Sequence, residues 1–181
     1  MQTTQRNIYM KAFATVLMLA LAASWIPTEA HASDQLLVFG RILQEGKKSE
    51  GATVTIYNGN AVYRNVTTTK SGKYAIKLPF GFYFTMEVKK EGYITKRLVF
   101  DTRIDAQIDL LDDYVCDVDL LDLEWFGGMD IGNLDFPMAI IVYQGNGFFD
   151  YTQDYAIFMR EEYETTLTKA MNSTSAQLSH R

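Results

Sequence analysis

Between residues 36 and 100, apolar and polar side chains alternate in short runs, and each run stops at a cluster of Gly, Asn, Ser or Pro. Runs of this length, rich in Val, Ile, Thr and Tyr, predict closely spaced β-strands joined by tight turns. The first covers residues 36–42 with Gly40 inside it, and the polar stretch 44–50 reads as a loop. In the second, 52–57, Val54 and Ile56 take one side and Thr53, Thr55 and Tyr57 the other. Asn58-Gly59-Asn60 reads as a hairpin turn, since Asn and Gly accept positive φ at little cost. Strands at 61–69 and 73–78 flank Ser71-Gly72, and in the latter Lys73, Ala75 and Lys77 alternate with Tyr74, Ile76 and Leu78. Pro79-Phe80-Gly81 breaks the pattern. Two more strands, 82–89 and 94–100, surround Glu91-Gly92-Tyr93, and a seventh covers about 114–123. The expectation is a mainly β chain, with a seven-stranded antiparallel β-sandwich over residues 33–124.

Ahead of this body, Arg6 and Lys11 precede an uncharged stretch at 12–26, Pro27 breaks it, and Ala30-His31-Ala32 offers a small-x-small cleavage site. That is the layout of a secretory signal peptide over residues 1–32. Fifteen helical residues rise only about 22 Å, short of a hydrocarbon core of roughly 30 Å, so a membrane anchor is the weaker reading. No later run is apolar enough to span a bilayer. The mature chain is expected to be exported, to the periplasm or the outer cell surface.

Behind the body, residues 125–152 form a Gly-rich turn with Trp125, Phe126 and Met129, then a hairpin of apolar 138–143 and 148–151 around Gln144-Gly145-Asn146-Gly147. Residues 153–172 predict an amphipathic helix, capped by Thr152 with Asp154 in its first turn. Tyr155, Phe158, Met159, Tyr163, Leu167, Ala170 and Met171 recur at helical spacing. This stripe either docks on its own sandwich or engages another envelope protein, which makes Tyr155, Phe158, Met159, Tyr163 and Leu167 the partner-binding candidates. Residues 173–181 read as a disordered polar tail.

Charge divides the chain. Residues 33–104 hold 12 Lys and Arg against 6 Asp and Glu, whereas 105–159 hold 12 acids and no Lys or Arg. The two halves are expected to pack side by side in one body. Losing Arg6, Lys11 and Glu29 with the leader takes basic residues from 17 to 15 and acidic ones from 22 to 21, a net charge of −6. A net acidic exported chain is a poor partner for nucleic acid. The single Cys116 forms no internal disulfide and reads either as a small buried apolar residue or as an intermolecular disulfide.

Candidate chemistry is sparse. The two histidines are His31, inside the leader, and His180, next to the last residue, so the body has no imidazole base for a serine or cysteine nucleophile. Carboxylates cluster at Asp112, Asp113, Asp117, Asp119, Asp122 and Glu124. In a strand Asp117 and Asp119 share one face, which makes them calcium candidates, while Asp122 and Glu124 fall on the other. Tyr57, Tyr63, Tyr83 and Tyr93 offer surfaces on which carbohydrate could stack.

Gly51-Ala52-Thr53-Val54, the Thr69-x-x-Gly72-x-Tyr74 turn, Leu78-Pro79-x-Gly81 and Gly92-Tyr93 together resemble the carboxypeptidase-regulatory-like domain, over about residues 36–110. The resemblance implies a prealbumin-like (transthyretin-like) sandwich. It also implies a non-catalytic role, as in exported Bacteroidota proteins and the N-terminal extensions of TonB-dependent receptors. No peptidase, plug or barrel sequence accompanies it here. The histidines that transthyretin-related hydroxyisourate hydrolases need are missing from the body. The chain therefore reads as a non-enzymatic binding or scaffold module of the cell envelope, acting through the sandwich and the C-terminal helix. A carbohydrate- or calcium-binding surface module is the alternative.

Overall fold

The computed structural model describes residues 34–104 and 111–179, with side chains described as far as residue 172. The expected leader, 1–32, lies outside the described residues.

Strand β1 (Gln35–Gln44) is the axis of the smaller sheet. Leu36, Val38, Gly40 and Ile42 point inward and are buried, as the alternation predicted. One side of β1 pairs antiparallel with β5 (Lys73–Pro79), Val38 opposite Ile76, and with the short β2 (Lys47–Lys48) beyond it. The other side pairs with β8 (Tyr114–Val115) and β9 (Val118–Leu120).

The larger sheet has the order β11 (Phe148–Tyr151), β10 (Ala139–Gly145), β7 (Lys96–Asp101), β6 (Tyr83–Lys89), β3 (Thr53–Asn58), β4 (Ala61–Thr67). Val54, Ile56, Phe84, Met86, Val88, Phe100 and Ile141 from this sheet join Leu36, Ile42, Ile76, Leu78 and Leu120 from the smaller one in a single apolar cluster. Cys116 is buried in the same cluster, and burial pushes its thiol up to about 11. That suits packing as a small apolar group.

The chain is mainly β, but the expected seven-stranded antiparallel arrangement needs correction. The described residues form eleven strands in two mixed sheets. Both β8 and β9 run parallel to β1, and β10 runs parallel to β7. Tight turns leave only antiparallel pairing open, so the hairpins were legible. The parallel pairs join segments far apart in sequence, where turn residues impose no direction. The expected seventh strand is also broken into β8 and β9.

Helix α1 (Gln153–Ser179) runs beyond the expected end at 172, so the expected tail at 173–181 is helical as far as Ser179. Neither Gly nor Pro occurs after Met171, and Ala176, Gln177 and Leu178 all tolerate helix well. Thr152 does not cap it through its side chain; its hydroxyl donates to the Ile140 carbonyl and ties the helix start to β10. No helix among the described residues is long and apolar enough to cross a membrane.

A second apolar cluster holds α1 down. Ile94, Phe126, Leu134 and Ala170 are buried together, with Leu121, Met129, Ile131, Tyr163 and Leu167 packed around them. Phe126 and Leu134 come from two short 3-10 helices, Leu123–Phe126 and Gly132–Asp135. The Gly-rich stretch after the sandwich is therefore the bed on which the helix lies.

One ion pair among the described residues joins the basic and acidic halves. Arg97 on β7 reaches the Asp135 carboxylate at 2.8 Å while also pairing with buried Glu87 on β6 at 2.8 Å. Burial alone would raise the Glu87 carboxyl, but hydrogen bonds from Lys89 and Arg97 outweigh it and hold the group below the ordinary range. A depressed folded value means stability that is present above the ordinary Glu value of about 4.3 and lost as pH falls through the folded one. Arg97→Met should cost about 1–2 kcal/mol at pH 7, because Glu87 keeps only exposed Lys89 and a long hydrogen bond from the Tyr57 hydroxyl. It should also flatten the loss of stability below about pH 4. Urea unfolding of both proteins across that range checks each part.

Candidate functional site

The outward side chains of the smaller sheet form the most distinctive surface of the body. On β1 these are Leu37, Phe39 and Arg41; on β5, Lys73, Ala75 and Lys77; on β8, Val115. Phe39, on the central strand, is 37% exposed and Val115, on the β8 edge beside it, 63%, large values for neighbouring apolar residues on one sheet face. They line a groove of about 850 Å³ together with Leu37, Ala75, Asp113 and Asp117. Charge is sorted across it. Lys73 sits opposite Arg41 and Lys77 opposite Leu37 on the β5 side, whereas Asp113 and Asp117 flank Val115 on the β8 side.

The β8 wall is held by an unusual contact. After Val115 the chain leaves the ladder for two residues and tips its Cys116 carbonyl over Gly40. A Cβ at Gly40 would lie 2.0 Å from that oxygen. The Tyr74 hydroxyl, opposite Gly40 on β5, donates to the same carbonyl at 2.7 Å. The ladder bond lost at Arg41 is replaced by a side chain, since the Arg41 amide donates to Asp117 Oδ1 at 2.7 Å. This splits the expected seventh strand into β8 and β9. Gly40 was visible in the sequence as a glycine inside a strand, a common sign of close backbone approach.

Of the two calcium candidates, Asp117 thus completes the sheet, and Asp119 Oδ2 accepts the Gly46 amide at 3.0 Å. Among the described residues no group of three or more His, Cys, Asp or Glu could hold a metal ion together. Asp117→Ala should cost about 1–2 kcal/mol by leaving the Arg41 amide unpaired, and Asp117→Asn less, since its amide oxygen still accepts. Urea unfolding midpoints of the two variants check the order.

The four tyrosines considered for sugar stacking each have contacts within the body. The Tyr57 hydroxyl donates to Glu87, Tyr63 packs against buried Phe84, Tyr83 carries Arg103 over its ring, and Tyr93 packs on the main core.

The helical stripe is mostly used inside the chain. Met159 is buried, Tyr163 and Leu167 pack in the second cluster, and the Tyr155 hydroxyl donates to the Pro137 carbonyl at 2.7 Å. Of the five partner-binding candidates only Phe158 faces out, at 54% exposure. Spacing identified the helix but not which of its aromatic residues would meet the body. Those that do are set by the 3-10 helices beneath, which carried no strong pattern of their own.

No family model and no curated protein matches this chain. Among solved structures it is similar to catechol 1,2-dioxygenase of Acinetobacter radioresistens, at 16% identity and a TM-score of 0.37 over 54% of this chain and 55% of that one. The 3-chlorocatechol 1,2-dioxygenase of Rhodococcus opacus 1CP gives 9% identity and a TM-score of 0.37 over 54% and 64%. The TIE protein of Bacillus anthracis gives 19% identity and a TM-score of 0.35 over 50% and 17%. The chain spans less than two thirds of each of these proteins, and overlaps this loose carry no argument about activity.

Proposed function

We propose that this chain is a non-enzymatic binding module of the cell envelope, and that it recognises a protein partner through the outer face of β5, β1 and β8. One observation carries the reading: Phe39 on the central strand β1 and Val115 on the neighbouring β8 stand exposed side by side, with Arg41 and Lys73 at one end of the groove and Asp113 and Asp117 beside Val115. An apolar centre with a charged rim is the usual anatomy of a protein interface. The sorted charges call for a partner whose apolar patch has acidic residues along one side and basic residues along the other.

The open edge of β5 is a poorer docking element. It carries Lys73 and Lys77 and ends in Pro79, features that discourage strand addition. The resemblance to carboxypeptidase-regulatory-like domains, with their binding and spacing roles, and the leader-like first 32 residues support the same reading. The helix contributes indirectly, as part of the body, because most of its apolar stripe is occupied.

The test compares the mature chain with the Phe39→Ser/Val115→Ser double variant and with Phe158→Ser as bait against envelope fractions. The double variant is expected to lose a discrete partner that the wild type and Phe158→Ser both retain. Loss on Phe158→Ser alone would move the surface to the helix. Concentration-dependent self-association of the wild type that the double variant abolishes would make the partner a second copy of this chain.

A further inference from the structure

Behind β8, on the side away from the exposed face, the start of β7, the segment after β8 and helix α1 enclose a cleft of about 460 Å³. Its walls include Leu98, Met138 and Met159, with the rings of Tyr114, Tyr151 and Tyr163. Lys96 also lines it. This lysine is only 7% exposed, and its ammonium lies 5.2 Å from the Tyr163 ring centre. Among the described residues its ammonium makes no hydrogen bond and has no carboxylate within ion-pair distance, and the nitrogen keeps some contact with solvent in the cleft. Burial pushes its amine down, opposed only by the field of Asp119, whose carboxylate already accepts the Gly46 amide.

Two other charged groups line the cleft. Arg160 projects from α1, also without an ion pair among the described residues, and Asp117 is bonded to the Arg41 amide. The lining therefore has a cationic excess within apolar and aromatic walls.

A largely desolvated ammonium facing one aromatic ring is a poor structural device. Methionine would fill the same space without the desolvation penalty, and such replacements of buried charge are often stabilising. A cationic group held at that disadvantage inside a cleft of ligand size points to a missing counter-charge.

We propose that this cleft binds a small organic carboxylate with an apolar body, its carboxylate held by Lys96 with Arg160 assisting and its body against Leu98, Met138 and Met159. The cleft is large enough for a benzoate-sized or six-carbon acid. The tyrosine rings favour a flat or slender body over a branched one. This ligand site borders the protein-binding face at Val115 and Asp117 and goes beyond the proposed role of that face.

The experiment follows melting temperature and ligand-induced chemical shifts for the mature wild type, Lys96→Met and Arg160→Gln. The probes are benzoate and hexanoate, with benzyl alcohol and 1-hexanol as uncharged counterparts. Both acids are expected to raise the melting temperature of the wild type saturably, and the alcohols much less. Lys96→Met is expected to melt above the wild type without ligand, by about 2–4 °C, and to bind the acids on the order of 10–100-fold more weakly. Arg160→Gln should weaken binding roughly threefold to tenfold, as expected of an exposed charge.

A Lys96→Met protein less stable than the wild type would mean that the ammonium serves the fold, and would overturn the proposal. So would equal responses of wild type and Lys96→Met to the acids, or no response of the wild type to either acid. Partner capture by the β5–β1–β8 face should be unchanged in Lys96→Met, so failure of one site is distinguishable from failure of the other.

Discussion

Gly40→Ala is expected to be the most damaging small substitution in the body. The new methyl group would lie 2.0 Å from the Cys116 carbonyl oxygen, 2.5 Å from its carbon and 2.9 Å from Asp117 Oδ1. Backbone atoms cannot swing aside as a side chain can, so the 116–117 segment must move by more than an ångström. That movement strains three bonds at once: the Tyr74 hydroxyl to the Cys116 carbonyl, the Cys116 amide to the Phe39 carbonyl, and the Arg41 amide to Asp117. Overpacking of this kind costs about 1–3 kcal/mol, and each weakened bond adds about 1. A loss of at least about 3 kcal/mol follows, or failure to fold. Gly81→Ala is the control. Gly81 has φ near 90° but open space around it, so only the left-handed backbone penalty of about 1–2 kcal/mol applies. Urea unfolding should separate the two clearly, and similar midpoints would mean that the β8 segment does not lie against β1.

Phe126→Ala is expected to have an effect of similar size, for a different reason. Phe126 is fully enclosed in the second cluster with Ile94, Leu134 and Ala170. Removing a buried phenyl ring costs about 3–5 kcal/mol, depending on how far the site collapses. The location matters as much as the size. Phe126 is the ring against which the C-terminal half of α1 rests, so its loss should release the helix before the sandwich. Backbone amides of residues 160–172 should lose hydrogen-exchange protection in Phe126→Ala while those of β3, β6 and β7 keep theirs. Unchanged protection of the helix would show that it does not depend on the 3-10 bed.

The turns and most strands of both sheets were legible because their residues obey local rules. Asn58-Gly59-Asn60 specifies a turn, and Tyr74, Ile76 and Leu78 alternate strictly, so strands β3 to β7 fall within a residue or two of their expected positions. The parallel pairings were not legible, since nothing local distinguishes residues 139–142 beside β7 from the same residues at another edge. The candidate face was partly legible. The outward positions of β1 and β5 follow from alternation, but Val115 joins them only because β8 pairs with β1 in parallel. Lys96 was invisible as a candidate because, in the sequence, it lies near the start of the strand expected at 94–100, beside Arg97, as any solvated charge would. Burial by α1, a segment more than fifty residues away, is what isolates it.

The central claim is that the β5–β1–β8 face is where a protein partner sits. A photo-activatable residue placed at position 115, 39 or 158 of the chain, activated in intact cells, tests this directly. Positions 115 and 39 are expected to give one discrete heavier adduct containing the same partner, and position 158 none. Adducts from 158 with none from 115 and 39 would contradict the claim and place recognition on the helix.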